Sequence, residues 1–340
     1  MKLRSYIFKR LLLSLFVLIG LSMVIFVISR VVPGDPARMA LGPRAPQFAV
    51  EAMRQDMHLD KPLVAQYLYW VKGVAVWDLG ESLTTRRPVT KDVQDFLPAT
   101  LELALVAAFL VVTLSILFGT LAARYRDKWI DTLVRVFSYT GVAVPSFVLA
   151  VLFLLLFGYI WPVIPVLGRL SPHVLPPPTI TGLITVDSLL SGNLTAFWDA
   201  LKHLIVPAFA LAMGPLFQEA RIVRTAMTDN MGKDYLAAAK GYGIPNRVIM
   251  TKYLLKPSLI PAVSVMGLDI ASLMSNAFLV EVIFNWPGIS RYGMNAMLRK
   301  DLNSISAVII IFGLIFVIVN ILVDFVVAYL DPRIRLGGKT

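Results

Sequence analysis

The sequence predicts an all-α protein that crosses a membrane several times, and three observations support this prediction. Of its 340 residues, 57% are hydrophobic and only 16% are charged, with a mean hydropathy of +0.74. Soluble domains average about 45–50% apolar and about 25% charged residues. Six apolar stretches approach the roughly 20 residues that a transmembrane helix needs. Lys and Arg are concentrated between alternate stretches, as is typical of polytopic membrane proteins.

The six predicted spans differ in regularity. A basic run precedes the first span, but its apolar stretch is too long for a signal peptide and no cleavage pattern follows, so we expect an uncleaved helix. The fourth span is short and is interrupted by Pro207, Gly214 and Pro215. The six spans are Leu11–Val32, Leu101–Ala123, Leu133–Tyr159, Leu204–Phe217, Leu259–Phe284 and Ile305–Leu330.

The distribution of basic residues predicts the orientation. Seventeen Lys and Arg residues lie in one set of short segments, and five lie in the opposite set. The first set comprises residues 2–10, 124–128, 221–256 and 333–339, and the second comprises residues 169–202 and 291–300. Because short cytoplasmic loops carry the excess of Lys and Arg, both termini are predicted to be cytoplasmic.

The chain divides into four predicted regions. Residues 1–32 hold the cytoplasmic N-terminus and the first span, and residues 33–97 form a small extracytoplasmic cap. Residues 98–331 hold the other five spans, with a cytoplasmic loop at about 221–257, and residues 332–340 form a cytoplasmic tail.

Several classes of function lack support in the sequence. There is no Cys, and the three His residues have no metal-ligand spacing. No G-x-x-x-x-G-K-[ST] motif is present to bind ATP phosphates. The net charge of +11 fits basic cytoplasmic loops better than binding of nucleic acid.

The cytoplasmic loop contains a segment rich in small residues, "DYLAAAKGYGIPNR", which begins with Asp234 and Tyr235. Asp234 suits a helix start, and the Ala residues favour a slim helix. Gly241 and Gly243 are expected to end that helix in a sharp turn. Pro245 then suits the first turn of a second helix, which reaches Leu255 and is expected to break at Pro257. An ordinary loop packed on its own bundle is the alternative.

This segment resembles the coupling loop of ATP-binding-cassette importer permeases. In that pattern an E-A-A triplet is followed, after three further residues, by Gly, and by Pro eighteen residues beyond the Gly. Here the triplet is Ala237, Ala238 and Ala239, with Gly243 and Pro261 at the other two positions. The Glu of the triplet is absent, as is common in the peptide-transport branch of the family.

Further motifs resemble the first permease subunit of the dipeptide, oligopeptide and nickel group, in the same order along nearly the whole chain. They are "VPGDP" (Val32–Pro36), "LDKPLVAQYLYW" (Leu59–Trp70), "DLGESL" (Asp78–Leu83), "RRPV" (Arg86–Val89), "LPATLELAL" (Leu97–Leu105), "EVIFNWPGI" (Glu281–Ile289) and "DPRIR" (Asp331–Arg335).

The resemblance implies a type I importer fold in a bacterial or archaeal plasma membrane. It implies a second homologous permease, giving a heterodimer, one or two cytoplasmic ATPase subunits and an extracytoplasmic substrate-binding protein as partners. ATP and Mg would be bound by the ATPase subunits, and no cofactor is expected in this chain, which would not itself be an enzyme. Residues Asp234, Tyr235, Ala237, Ala238, Ala239, Gly243 and Pro245 would contact the ATPase. Short peptides would be taken up by alternating access.

Polar residues in the fifth span suggest a translocation pathway. Asp269, Ser272 and Asn276 lie at i, i+3 and i+7, on one helical face. Because a carboxylate in lipid is costly, this face should point towards protein or water. It would line the pathway and contact substrate ammonium groups, or else form a polar seam between helices.

Three charged residues near span ends have structural or gating interpretations. Glu281, together with Trp286, Pro287 and Gly288, forms an outer turn or the edge of a gate. Glu102 and Asp324 are expected to form structural pairs, Asp324 with Arg135.

Other functions remain open at this point. The same importer class could move nickel chelates, glutathione, opines or oligosaccharides. An ion-driven secondary transporter would need paired acids near the membrane midplane and repeated broken helices, whereas Asp269 alone is a candidate acid. A membrane-embedded enzyme would need a metal cluster or a nucleophile with its base.

Overall fold

The computed structural model describes residues 3–31, 36–42 and 44–330, and helices dominate this part of the chain. Five stretches are long and apolar enough to cross a membrane as single helices, and a bent pair brings the number to six. The all-α polytopic prediction is therefore confirmed. The long helices are α1 (Leu3–Val31), α5 (Val89–Arg124), α9 (Leu194–Met231), α12 (Lys256–Ile283) and α14 (Leu302–Leu330).

Shorter helices connect and cover the long ones. Among the described residues, the extended structure consists of one isolated antiparallel bridge between Glu81 and Pro88. The shorter helices are α2 (Pro36–Leu41), α3 (Gln47–Asp56), α4 (Leu63–Ala75), α6 (Trp129–Ala143), α7 (Ser146–Leu155), α8 (Ile184–Leu190), α10 (Asp234–Gly241), α11 (Asn246–Val248) and α13 (Ile289–Leu298).

The third predicted span is not one straight helix. α6 and α7 meet at an angle of 106°, and a π-helical turn continues α7 to Ile160. Pro145 causes the break because its ring forces Val144 into extended backbone, with φ −95° and ψ 118°. The predicted third span, Leu133–Tyr159, is therefore a broken span that bends at Pro145.

The fourth predicted span was too short, because α9 continues through both of its prolines. Asn193 caps its start by accepting a hydrogen bond from the backbone N–H of Ala196 at 3.0 Å. Pro207 and Pro215 lie inside the helix, which packs on α5, α6, α7 and α12. At about 57 Å, α9 is much longer than a bilayer core of about 30 Å.

Close packing of α5 on α9 forms the centre of the molecule. A side chain at Gly119 would lie 2.7 Å from both the Ala220 carbonyl oxygen and Val223 Cβ, so glycine permits this approach. The core around this contact contains Leu103, Leu204, Leu211 and other residues from α5, α9, α12 and α14.

The predicted break at Pro257 is also wrong. α11, a π-helical segment over Ile249–Leu255 and α12 form one continuous helical stretch. Pro257 sits in the first turn of α12, where the hydrogen bonds of the wider π-turn precede it and a missing N–H costs little.

The predicted cap contains α2 to α4 and the segment up to the start of α5. α4 packs on α1 through Tyr67, whose ring lies 5.4 Å from that of Phe26 and whose hydroxyl is 2.8 Å from Ser22 Oγ. α5 begins at Val89, so the predicted border at residue 97 falls inside a helix.

Of the two predicted structural pairs, one has a different partner. Glu102 accepts a 2.6 Å hydrogen bond from Arg169. Asp324 pairs with Arg10 of α1, at 2.7 Å, and not with Arg135, which lies 3.7 Å from Asp131. The wrong partner arose because the arrangement of α1 beside α14 is a tertiary feature. The motifs "VPGDP" and "DPRIR" lie largely or wholly outside the described residues.

Candidate functional site

α10 has the position and length of the predicted coupling helix. It begins at Asp234, with Lys233 in extended backbone before it, and Asp234 lies exposed in the first turn. A carboxylate there stabilises the helix through its dipole, and Lys240 in the last turn does the same at the other end. Asp234 therefore supports the helix start without making the side-chain cap that its sequence position suggested.

The turn after α10 has the hydrogen bonds of a Schellman motif. The backbone N–H of Gly243 donates to the Lys240 carbonyl at 3.0 Å, and that of Ile244 donates to the Ala239 carbonyl at 3.1 Å. Gly243 has φ +71°, a left-handed conformation that favours glycine. The predicted sharp turn is confirmed. Pro245 follows in extended backbone and precedes α11.

One face of α10 rests on the bundle. Leu236 and Ala239 are 4% and 6% exposed and belong to an apolar cluster with Ile249, Leu254 and Met227. Ala239 was predicted to contact a partner, but here it points into its own chain. Its small side chain lets α10 lie close to the bundle.

The opposite face of α10 and the following turn are open. Tyr235 is 43% exposed and Tyr242 is 87% exposed, and Ala237 and Ala238 are exposed between them. Two aromatic rings at the edges of a nearly flat Ala surface form a shape that a groove on another protein can receive. We call this face, Tyr235, Ala237, Ala238 and Tyr242, the α10 face.

The predicted pathway residues form a connected polar track on α12. Asp269 and Ser272 are partly buried, and Asn276 is exposed. Asn276 lies 3.5 Å from Ser272 Oγ, and Gln218 of α9 lies 3.4 Å from the Asp269 carboxylate. The sequence prediction that these three α12 residues share one face is confirmed, whereas their role as a pathway stays a prediction.

The predicted outer turn forms a buried set of hydrogen bonds, which we call the lock, between α5 and the segment joining α12 to α13. Glu281 accepts hydrogen bonds from the Thr100 hydroxyl and, at 2.7 Å, from the backbone N–H of Arg291. The Trp286 indole N–H donates to the Ala99 carbonyl at 2.9 Å. Pro287 is exposed, and a side chain at Gly288 would collide with the Glu281 carboxylate.

A second buried network links the cap region to α13 and α14. The Tyr292 hydroxyl lies 2.9 Å from Asp92 and 2.6 Å from Ser304 Oγ. Ser304 Oγ and Ser82 Oγ donate to Asp301 at 2.8 and 2.6 Å. Burial raises the pKa of Tyr292 to about 12, so its hydroxyl remains a neutral donor. Sequence reasoning missed this network because its members are far apart in the chain.

The sequence did not predict two further buried polar features of α9. Arg224 of α9 donates two hydrogen bonds, at 2.8 and 2.7 Å, to the fully buried Asp131 of α6. Glu219, one residue after Gln218, is fully buried in α9. Glu219 was missed because the predicted fourth span ended at Phe217. Among the described residues, no group of three or more His, Asp and Glu side chains could hold a metal ion.

Comparison with known proteins agrees with this architecture. A family model described as binding-protein-dependent transport system inner membrane component matches residues 115–336, and a model of the N-terminal part of such components matches residues 3–104. The chain is similar to a probable D,D-dipeptide transport system permease protein of Escherichia coli, with 38% identity over 95% of each chain.

Two other relatives have the same extent. A di/tripeptide transport system permease protein of Pseudomonas aeruginosa is 37% identical, over 97% of this chain and 98% of its own. A dipeptide transport system permease protein of Alkalihalophilus pseudofirmus is 35% identical, over 97% of this chain and 99% of its own.

The fold and these matches define a multi-pass inner-membrane permease that translocates a substrate without catalysing a reaction itself. The chain belongs to the family of binding-protein-dependent transport system inner membrane components, as the permease subunit of an ATP-binding-cassette importer. Such a subunit works with an ATPase and a substrate-binding protein.

Proposed function

We propose that this permease imports short peptides and that the α10 face transmits the movement of the ATPase to the membrane helices. The observation that carries the coupling role is the geometry of α10. One face packs on the π-helical segment Ile249–Leu255, in a buried apolar cluster shared with residues of α9 and α12, while the opposite face is open and built of small and aromatic side chains. A force applied to the open face therefore reaches the long helices through a packed interface.

The peptide substrate is supported by the relatives. The names of three proteins that align along nearly the whole chain refer to dipeptides or tripeptides. In this proposal a second homologous permease completes the pathway, and one or two ATPase subunits bind ATP and Mg. Both termini and α10 face the cytoplasm, which agrees with the seventeen basic residues on that side.

Uptake by the assembled importer in proteoliposomes tests the substrate and the energy source together. We expect ATP inside the vesicles, with the binding protein outside, to drive accumulation of L-alanyl-L-alanine or D-alanyl-D-alanine. A disaccharide of similar size is the matched control and should not accumulate. Failure of both dipeptides, with uptake of the disaccharide, would contradict the peptide assignment. Dipeptide uptake driven by a proton or sodium gradient without ATP would contradict the energy source.

A further inference from the structure

Glu219 is a charged residue type in an environment that offers it no counter-charge. Its side chain is fully buried in α9, and neither carboxylate oxygen receives a hydrogen bond from a described donor. None of the ion pairs among the described residues includes it. An isolated ionised carboxylate is strongly disfavoured in such a place, so the group is protonated or finds a cation.

The neighbour of Glu219 is a second acid. The carboxyl groups of Glu219 and Asp269 lie within hydrogen-bonding reach of each other where α9 packs on α12. Two ionised carboxylates are acceptors only, so they can be joined by a hydrogen bond only when they share a proton. Asp269 has one other side-chain partner, the neutral Gln218 amide, at 3.4 Å.

No other charged side chain of the surrounding helices serves the pair. α5 faces it near Gly119 and carries no charge between Glu102 and Arg124, and α7 has no charged residue. On α9, Arg224 is committed to Asp131 of α6, and Arg221 is exposed. Arg135 of α6, which also packs on α9, lies 3.7 Å from the same Asp131. Asp269 is the charged residue of α12 between Lys256 and Glu281, and Asp324 of α14 pairs with Arg10.

We propose that Glu219 and Asp269 form a proton-binding site in which one proton is shared between the two carboxyl groups. Asp269 is only partly buried, and through its side chain the shared proton exchanges with water. With the proton bound, the pair joins α9 to α12. Without it, two adjacent negative charges push these helices apart.

Infrared spectroscopy of the assembled importer in lipid nanodiscs, without substrate, tests the site directly. At about pH 8, carboxyl groups with ordinary pKa values, near 4, are ionised. The wild type should still show the carbonyl stretch of a protonated carboxylic acid, and Glu219→Gln should lose it. In this variant the Gln amide donates to Asp269, which no longer needs a proton. Glu51→Gln, at an exposed position of α3, is the matched control and should keep the band.

Asp269→Asn keeps the test decisive even if Glu219→Gln fails to assemble. In that variant Glu219 should keep its proton, because it is fully buried whereas Asp269 is only partly buried, and its carbonyl frequency should change because an amide replaces the carboxyl partner. The thermal stability of the wild type should fall as the pH rises above about 5, because the folded pair holds a proton that the unfolded carboxyl groups release near their ordinary pKa values, and Glu219→Gln should remove that fall. Absence of the band from the wild type, its survival in Glu219→Gln, or an unshifted band in Asp269→Asn would overturn the proposal. None of these measurements depends on which substrate is imported.

Discussion

Gly243 shows how a single backbone conformation shapes the coupling segment. Its φ of +71° lets the N–H groups of Gly243 and Ile244 close the end of α10, and Ile244 then returns to the apolar cluster beneath the helix. Nothing lies within 4 Å of the position of a Cβ there. The cost of a side chain at this position is therefore conformational and not steric.

Replacing Gly243 with Val should uncouple the importer without removing it from the membrane. A left-handed conformation costs about 1–2 kcal/mol for a residue with a Cβ, and more for a β-branched one, so the turn should change shape. We expect at least a fivefold loss of substrate-stimulated ATP hydrolysis at an unchanged level of membrane-inserted protein. Gly241→Ala, in open space at the end of the same helix, is the control and should keep its activity. Equal activities of the two variants would contradict the role of the turn.

Asp187 fixes the loop before α8 in a similarly local way. It accepts hydrogen bonds from the backbone N–H groups of Thr181 and Gly182, at 2.8 and 3.0 Å, and from the Thr181 hydroxyl at 2.7 Å. Burial opposes its ionisation, but these hydrogen bonds outweigh burial and lower the pKa of Asp187 below its ordinary value. The charged form is therefore favoured in the folded protein.

Asp187→Asn should destabilise this loop by about 1–3 kcal/mol, because an amide nitrogen cannot accept the N–H groups that one carboxylate oxygen now binds. Since the folded pKa is lowered, the contribution is complete above about pH 4 and is lost as the pH falls further. Thermal unfolding of the purified importer between pH 3 and 7 measures this. Asp95→Asn, at an exposed ion pair, should change stability by less than about 1 kcal/mol. A similar loss in both variants would contradict the prediction.

At the scale of helices, prolines inside the predicted spans differ in whether they break the helix. Pro145 separates α6 from α7 by 106°, whereas Pro207 and Pro215 stay inside α9. A proline removes one N–H and crowds the preceding turn, but packed neighbours can support a helix through it. α9 has α5 and α12 on its sides, whereas residues 142–147 around Pro145 are exposed or only partly buried. The sequence could place the prolines but not their neighbours.

The lock between α5 and the α12–α13 turn depends on the absence of a side chain at Gly288. A Cβ there would collide with the buried Glu281 carboxylate, which holds Thr100 and the start of α13. We expect Gly288→Ala to lower the apparent melting temperature by several degrees, as overpacking of about 1–3 kcal/mol implies. Gly20→Ala, in open space in the middle of α1, should be neutral or stabilising. A smaller effect of Gly288→Ala than of Gly20→Ala would contradict the lock.

For the whole molecule, local sequence patterns predicted the features that neighbouring residues determine, but not the contacts between distant helices. Membrane class, α10 and its turn follow from composition and from the positions of Ala and Gly, because these act through the nearest residues. The Glu219–Asp269 pair and the Arg10–Asp324 pair could not be predicted, because they depend on which faces of distant helices meet. The predicted fourth span ended at Phe217, fourteen residues before the end of α9, and therefore left out Glu219.

At this scale, a coupling role requires a connection through which the movement of a partner protein reaches the core of the bundle. α10 is the connection, because Leu236 and Ala239 lie in an apolar cluster with Met227 of α9 and with the π-helical segment that continues into α12, while the other face of α10 is open. If both termini lie in the cytoplasm, so does the α10 face. The exposed loop around Leu175, at the opposite end of α9, then lies outside the cell.

The central claim is that the α10 face contacts the ATPase in the cytoplasm. Cross-linking from one introduced Cys tests it most directly, since the chain has no Cys of its own. Tyr242→Cys, at a position 87% exposed, should form an adduct with the ATPase subunit and resist a membrane-impermeant thiol reagent in intact cells. Leu175→Cys, at a position 82% exposed, should react with that reagent and form no ATPase adduct. An importer in which the thiol at position 242 is labelled from outside, or never joins the ATPase, would contradict the account.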